Sequence, residues 1–252
     1  MPLLKAGSKE FNCQAVLFDK DGTLLDFKVM WLEWSRYMID EILAAVNHGV
    51  LSREVLEQAM GIDMANWHVD PDGPLAGGTM SGLRSALVMV MRESGMSEET
   101  AHDLVTEVSR RSETAMDWES LTRPVPGLKV QLESLRRNGF RLAVVTADVT
   151  ERAQLSMVSL QLNDFFDVVI GADLVKNSKP APDMALLACR LLGVAPGQAV
   201  VIGDTPRDIQ MARDAGAGSI GVLSGVCTRE QLAGAGADAV IESVAALGWQ
   251  NA

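Results

Sequence analysis

Apolar residues gather in short unbroken runs at Ala15 to Phe18, Leu142 to Val145, Val168 to Ile170, Ala199 to Ile202 and Ser219 to Leu223, with a last run at Ala239-Val240-Ile241. Side chains alternate between the faces of a strand, so an unbroken run predicts a strand covered on both sides. Helical patterns separate the later runs: Leu128, Leu132 and Leu135 share one helix face, which Asn138-Gly139 brings to a stop. Short strands alternating with helices predict an α/β fold built on a doubly wound, Rossmann-like parallel sheet. More than a hundred residues lie between the first run and the second. Something is inserted after the first strand.

The insert, residues 27–122, reads as helical throughout, with no strand. Trp31, Trp34, Met38, Ile42 and Ala45 recur at helical spacing, as do Leu83, Leu87, Val90 and Met91. The Trp and Met stripe predicts the core of a helix bundle; a cofactor or dimer face is the other reading. Ser97-Glu98-Glu99-Thr100 marks a helix start, and residues 70–78 form a loop rich in Gly and Pro. The prolines of Arg123-Pro124-Val125-Pro126-Gly127 end the insert and begin a new helix. Two domains are expected, a core of residues 12–26 with 123–252 and a helical domain of residues 27–122.

Composition narrows the function. The formal net charge of −11 argues against nucleic acid and membrane surfaces as partners, because both are polyanions. No apolar run approaches the roughly 18 residues that a membrane helix requires, and the first ten residues lack the apolar stretch of a secretory signal. A cytoplasmic location is the expectation. Cys13, Cys189 and Cys227, like His48, His68 and His102, show none of the spacings of a disulfide framework or a zinc site. An anionic substrate would have to be attracted by local cations or a metal, against the overall field.

Candidate chemistry follows the apolar runs, where ligands bind in an open parallel sheet. Phe18-Asp19-Lys20-Asp21-Gly22-Thr23-Leu24 delivers two carboxylates one residue apart at a strand end. Residues i and i+2 share a face, so Asp19 and Asp21 can lean into one cleft. Their mutual repulsion calls for a cation such as Mg²⁺, although an Asx turn also accounts for Asp beside Gly. Thr146, after the second run, offers a hydroxyl, and Ala147 the next backbone N–H, to a phosphate oxygen; Thr146 would serve equally as the N-cap of the helix that carries Glu151 and Arg152. Lys179 stands before Pro180 as a cation on a stiff backbone, or as an ordinary surface lysine. In Gly203-Asp204-Thr205-Pro206-Arg207-Asp208, capping explains Thr205 and Pro206, and Asp208 is a capping-box partner. Asp204 is better placed as a metal ligand, with Asp208 supporting it.

FDKDGTL at Phe18, the Thr of VVTAD, the Lys of SKPAP and GDTPRD at Gly203 together resemble, in order and spacing, the four motifs of the haloacid dehalogenase-like hydrolases. The insert resembles that superfamily's type 1 cap, and GDTPRDIQMARDAGAGSIGVLSG resembles its phosphoglycolate phosphatase-like members. The resemblance implies a Mg²⁺-dependent phosphatase acting on a small phosphorylated metabolite, as a monomer or homodimer. Asp19 would become an aspartyl-phosphate, Asp21 would act as acid and then base, Thr146, Ala147 and Lys179 would hold the phosphoryl group, and Asp19, Asp21, Asp204 and Asp208 would bind the metal. A phosphomutase of the beta-phosphoglucomutase type and a phospho-accepting signalling module are the alternatives. Many relatives carry Asn after the Thr of the second motif; Ala147 followed by Asp148 departs from this and puts phosphoglycolate in doubt as the substrate. The loop at Gly77-Gly78 is expected to help close the cap, because glycines allow close backbone approach.

Overall fold

The computed structural model describes residues 2–46 and 51–250, so His48 lies outside the described residues. The chain opens with two strands, β1 (Leu3–Ala6) and β2 (Lys9–Asn12), joined at Gly7 with φ +59°. Next come the wholly buried β3 (Ala15–Phe18), then α1 (Phe27–Ala45), α2 (Arg53–Met60), β4 (Ile62–Asp63), β5 (His68–Val69), α3 (Met80–Glu93), α4 (Glu98–Ala115) and α5 (Trp118–Leu121). The remainder alternates: α6 (Leu128–Arg137), β6 (Arg141–Val145), α7 (Thr150–Ser159), β7 (Val168–Ile170), α8 (Asp183–Leu192), β8 (Ala199–Gly203), α9 (Pro206–Ala215), β9 (Gly218–Val222), α10 (Arg229–Gly234), β10 (Ala239–Ile241) and β11 (Leu247–Gln250).

Six strands form one parallel sheet in the order β10-β9-β8-β3-β6-β7. The expected doubly wound sheet is present, and the unbroken apolar runs have the expected cause. Val16, Phe18, Leu142, Val144, Val200 and Ile202 join one core with Leu128, Leu132 and Leu135 of α6. Their alternates Ala15, Leu17, Ala143, Val145, Ala199 and Val201 join a second core with α8 and α9. The chain leaves β3 first toward β6 and β7 and returns on its other side through β8, so β3 is the switch point of the sheet.

The chain divides into two compact units, one holding residues up to Phe27 with those from Thr122 onward, the other Lys28–Leu121. The first unit contains an element that the apolar runs do not announce, an antiparallel sheet in the order β11-β1-β2. Its strands are four residues long and only partly buried, too short and too mixed to stand out as apolar runs.

The second unit is mainly helical, but it is not all-helical as the periodicity predicts. β4 and β5 pair antiparallel through Ile62–Val69 and Asp63–His68. Two-residue strands cannot display a period. Their turn is local side-chain chemistry, with Asn66 donating its backbone N–H to Asp63 at 3.0 Å and its amide at 2.7 Å. Ser97 caps α4 as read from the sequence, accepting the Thr100 N–H at 3.1 Å. Most of the Trp and Met stripe is core: Trp34, Met38 and Ile42 are buried, whereas Trp31 is half-buried and Ala45 exposed, and the Trp34 indole donates to the Ser112 hydroxyl of α4 at 3.0 Å. Gly77 and Gly78 have a reason within their own loop, since a Cβ at either would press on backbone of residues 71–74.

Leu142 is fully buried in the middle of the parallel sheet. Leu142→Ala is expected to remove about 2–5 kcal/mol of stability, read as a lower urea midpoint at an unchanged m value.

Candidate active site

Three of the four polar clusters bring side chains together beyond the carboxyl ends of β3 and β8. Asp19 leaves β3 with its N–H donated to the Ile202 carbonyl at 2.8 Å, which ties the start of one loop to the neighbouring strand. The chain then turns tightly: Gly22 has φ +88° and donates to the Leu25 carbonyl at 2.7 Å. Asp204 follows β8 directly, and Asp208 stands in the first turn of α9. Carboxylate oxygens of Asp19, Asp204 and Asp208 lie within 4.8 Å of one another, and all three residues are buried.

Lys179, 4% exposed, reaches this group from the loop before α8. Its Nζ is 2.5 Å from Asp19 Oδ1 and 2.6 Å from Asp208 Oδ1, so it is no surface lysine. The Lys179–Pro180 peptide is cis, and Arg207 donates a hydrogen bond to the Lys179 carbonyl. The Thr205–Asp208 relation read from the sequence is present: Thr205 donates its N–H at 3.2 Å and its hydroxyl at 2.6 Å to Asp208 Oδ2. The other oxygen of Asp208 faces Lys179, so one residue both caps a helix and joins the charged cluster.

Thr146 is buried at the end of β6, its N–H given to the Ile170 carbonyl at 2.9 Å. The N-cap alternative does not hold, because α7 starts at Thr150 with Val149 in the cap position. Instead the Thr146 hydroxyl accepts the Asp148 N–H at 3.2 Å. Ala147 is exposed beside it. Asp21 stands outside the acidic triad among the described residues; its carboxylate is held by Lys20, which is discussed below.

Several residues that bear on the site carry no signal in sequence spacing. The Ser224 hydroxyl donates to the Gly22 carbonyl at 2.8 Å, and the Val226 N–H donates to Asp204 Oδ2 at 3.2 Å. A Cβ at Gly22 or at Gly225 would overlap the Asp204 carboxylate. Two stretches of backbone therefore close on Asp204 as only glycine allows. The loop after β9 contributes a brace to a cluster otherwise built from the first, third and fourth motifs.

Electrostatically the cluster is strained. Burial pushes the Asp19 carboxyl up from 3.8 to about 7, with Asp208 and Asp21 adding to the rise and Lys179 opposing it. Burial, then the charges of Asp19 and Asp208, raise Asp204 well above the carboxylate range. Lys179 is held above its ordinary value because Asp19 and Asp208 outweigh the opposing effect of burial. A divalent cation fits this donor set: oxygen ligands only, crowded, and cradled by glycine backbone at Asp204.

A doubly wound parallel sheet with an acidic oxygen-donor cluster and a buried lysine against it at its switch point defines an α/β enzyme equipped for phosphoryl chemistry. Residues 13–216 match the family model described as haloacid dehalogenase-like hydrolase, and the chain belongs to that family. Over 236 residues it is 29% identical to a plasmid-encoded phosphoglycolate phosphatase of Cupriavidus necator, covering 93% of this chain and 91% of that protein. Over 118 residues it is 37% identical to a Dickeya dadantii protein named probable phosphatase IndB, where the match covers 47% of this chain and only 51% of the relative. Its fold resembles the crystal structure of a candidate beta-phosphoglucomutase from Thermotoga maritima, with a TM-score of 0.67, 25% identity, and 92% and 95% of the two chains covered. Family and relatives together make this chain a phosphoglycolate phosphatase-like member and a phosphoric monoester hydrolase. The signalling-module alternative is thereby set aside. Among the described residues no helix is long and apolar enough to cross a membrane.

The raised carboxyls carry a sign. Asp19 is protonated in both folded and unfolded chains below pH 3.8, whereas between there and about 7 only the folded chain keeps the proton. Its contribution to stability is therefore lost as pH rises through that window. Replacing a carboxyl whose ionisation burial disfavours should relieve the folded state: in chelator at pH 7, Asp204→Asn is expected to raise the thermal midpoint by about 3 °C or more. Scanning calorimetry against the wild type checks this, with the gain shrinking toward pH 4.

Proposed function

We propose that this enzyme hydrolyses a small phosphate monoester by Mg²⁺-dependent transfer of the phosphoryl group to Asp19, followed by hydrolysis of the aspartyl-phosphate. The observation that carries the reading is the buried group of Asp19, Asp204 and Asp208 around Lys179 at the sheet's switch point. Asp19 is the nucleophile: its carboxylate oxygen forms a bond to phosphorus as the ester oxygen leaves. Asp21 gives the leaving oxygen a proton and later takes one from the attacking water. Lys179, the Thr146 hydroxyl and the Ala147 N–H bind the equatorial phosphoryl oxygens, whose spread charge requires fixed donors. Asp19, the backbone carbonyl of Asp21, and Asp204 would hold Mg²⁺, with Asp208 beside them. When bound, the ion neutralises nucleophile and phosphoryl charges that would otherwise repel each other.

The reading takes the helical unit as a cap that selects the leaving group, and places the enzyme in the cytoplasm as a monomer or homodimer. Phosphoglycolate, the substrate named for the Cupriavidus relative, is one small dianionic ester to be tested among several. A phosphomutase outcome is the second reading, favoured by the likeness to the Thermotoga protein; it requires an isomeric sugar phosphate in place of free phosphate.

Phosphate release from a panel of small esters, with Mg²⁺ or EDTA, tests this. Turnover is expected only with the metal, and Asp19→Asn should lower it by about 10⁴-fold or more. Asp21→Asn is expected to cost about 10²–10⁴-fold in kcat. Metal-independent turnover, or turnover surviving at Asp19→Asn, would remove the proposed chemistry.

A further inference from the structure

Lys20 sits between the two aspartates of the first motif, and it is 2% exposed, where a lysine is rarely found without a partner. Its Nζ lies 3.0 Å from Asp21 Oδ1 and 2.9 Å from Asp21 Oδ2, so it grips both oxygens of one carboxylate. The same Nζ is 3.4 Å from Asp148 Oδ2, on the loop after the neighbouring strand β6. Asp148 is itself fixed: its Oδ1 accepts the Val149 N–H at 2.8 Å, its N–H donates to the Thr146 hydroxyl at 3.2 Å, and its carbonyl accepts the Ala172 N–H at 2.9 Å. Arg152 Nη1 adds an outer contact at 3.6 Å from Asp148 Oδ1.

Neither lysine in this site is interchangeable with the other. Lys179 faces Asp19 and Asp208, whereas the charge of Lys20 is shared between Asp21 and Asp148. Asp148, the acidic residue that follows Ala147 in the second motif, therefore has its charge compensated within the protein.

We propose that Lys20 is a positioning residue for the phosphatase reaction: it clamps the Asp21 carboxylate, and Asp148 anchors the clamp to the loop after β6. The inference rests on the proposed role of Asp21. Two carboxylates from different loops hold one ammonium, so Asp21 cannot swing away from the ester oxygen without leaving that charge short of a partner. Asp148 acts only through Lys20. A misaligned acid–base group loses rate without losing substrate affinity, which gives the role a signature distinct from substrate binding.

The test is steady-state kinetics with Mg²⁺ on the best ester of the panel for wild type, Lys20→Met, Lys20→Arg, Asp148→Asn and the double variant Lys20→Met/Asp148→Asn, with folding checked by thermal unfolding. Lys20→Met is expected to lower kcat by about tenfold to a hundredfold at a KM changed by less than about twofold. Lys20→Arg should recover part of the loss, Asp148→Asn should cost less than Lys20→Met, and the double variant should be no worse than Lys20→Met alone. An unchanged kcat for Lys20→Met, a loss confined to KM, or an Asp148→Asn loss that persists undiminished in the Lys20→Met background would overturn the proposal. Where Lys20→Met does not fold, Asp148→Asn decides, an unchanged kcat refuting the clamp. A wild type without Mg²⁺-dependent turnover overturns the proposed function, and this role with it.

Discussion

Carboxylate oxygens of three buried aspartates lie within 4.8 Å of one another, with the Lys179 ammonium between two of them. Folding must work against this arrangement, because each ionised group loses water and meets a like charge. The raised carboxyl values of Asp19 and Asp204 are the same fact expressed as proton affinity. Only a rigid frame keeps such groups from moving apart. The parallel sheet is that frame: both of its faces are buried in apolar cores, and Asp19 and Asp204 leave adjacent strands whose pairing is set by Phe18 opposite Ile202.

Around that frame the protein invests in backbone as much as in side chains. Glycine at positions 22 and 225 lets two loops approach the Asp204 carboxylate more closely than any side chain would permit. Ser224 and Val226 then bind that corner with hydrogen bonds. Arg207 braces the Lys179 carbonyl, and Thr205 orients Asp208. Such supports determine whether a reactive group is held to fractions of an ångström, which is what phosphoryl transfer asks of its residues.

Legibility differed among the elements for physical reasons. The six strands of the main sheet were readable because burial on both faces leaves an unbroken apolar run. The β4–β5 pair and the β11-β1-β2 sheet were not, since strands of two to four partly buried residues carry too little pattern. Thr146 presented two roles in the sequence, and only the position of α7 removed one of them. Lys20 was invisible as a site residue because a lysine between two aspartates is as easily a solvated side chain as a buried clamp.

The sequence by itself determined the class of chemistry. Asp19, Asp21, Thr146, Lys179, Asp204 and Asp208 stand after apolar runs, and a parallel sheet delivers such positions to one edge by its topology. Tertiary structure decided which of these groups meet. Lys179 contacts Asp19 across 160 residues, and Ser224 contacts Gly22 across 202. It also paired Asp148 with Lys20, turning an apparent liability in the second motif into half of an ion pair. Local sequence sets what each segment prefers, but distances of a few ångströms between remote side chains depend on strand register, loop path and close packing, which arise only when the whole sheet is assembled.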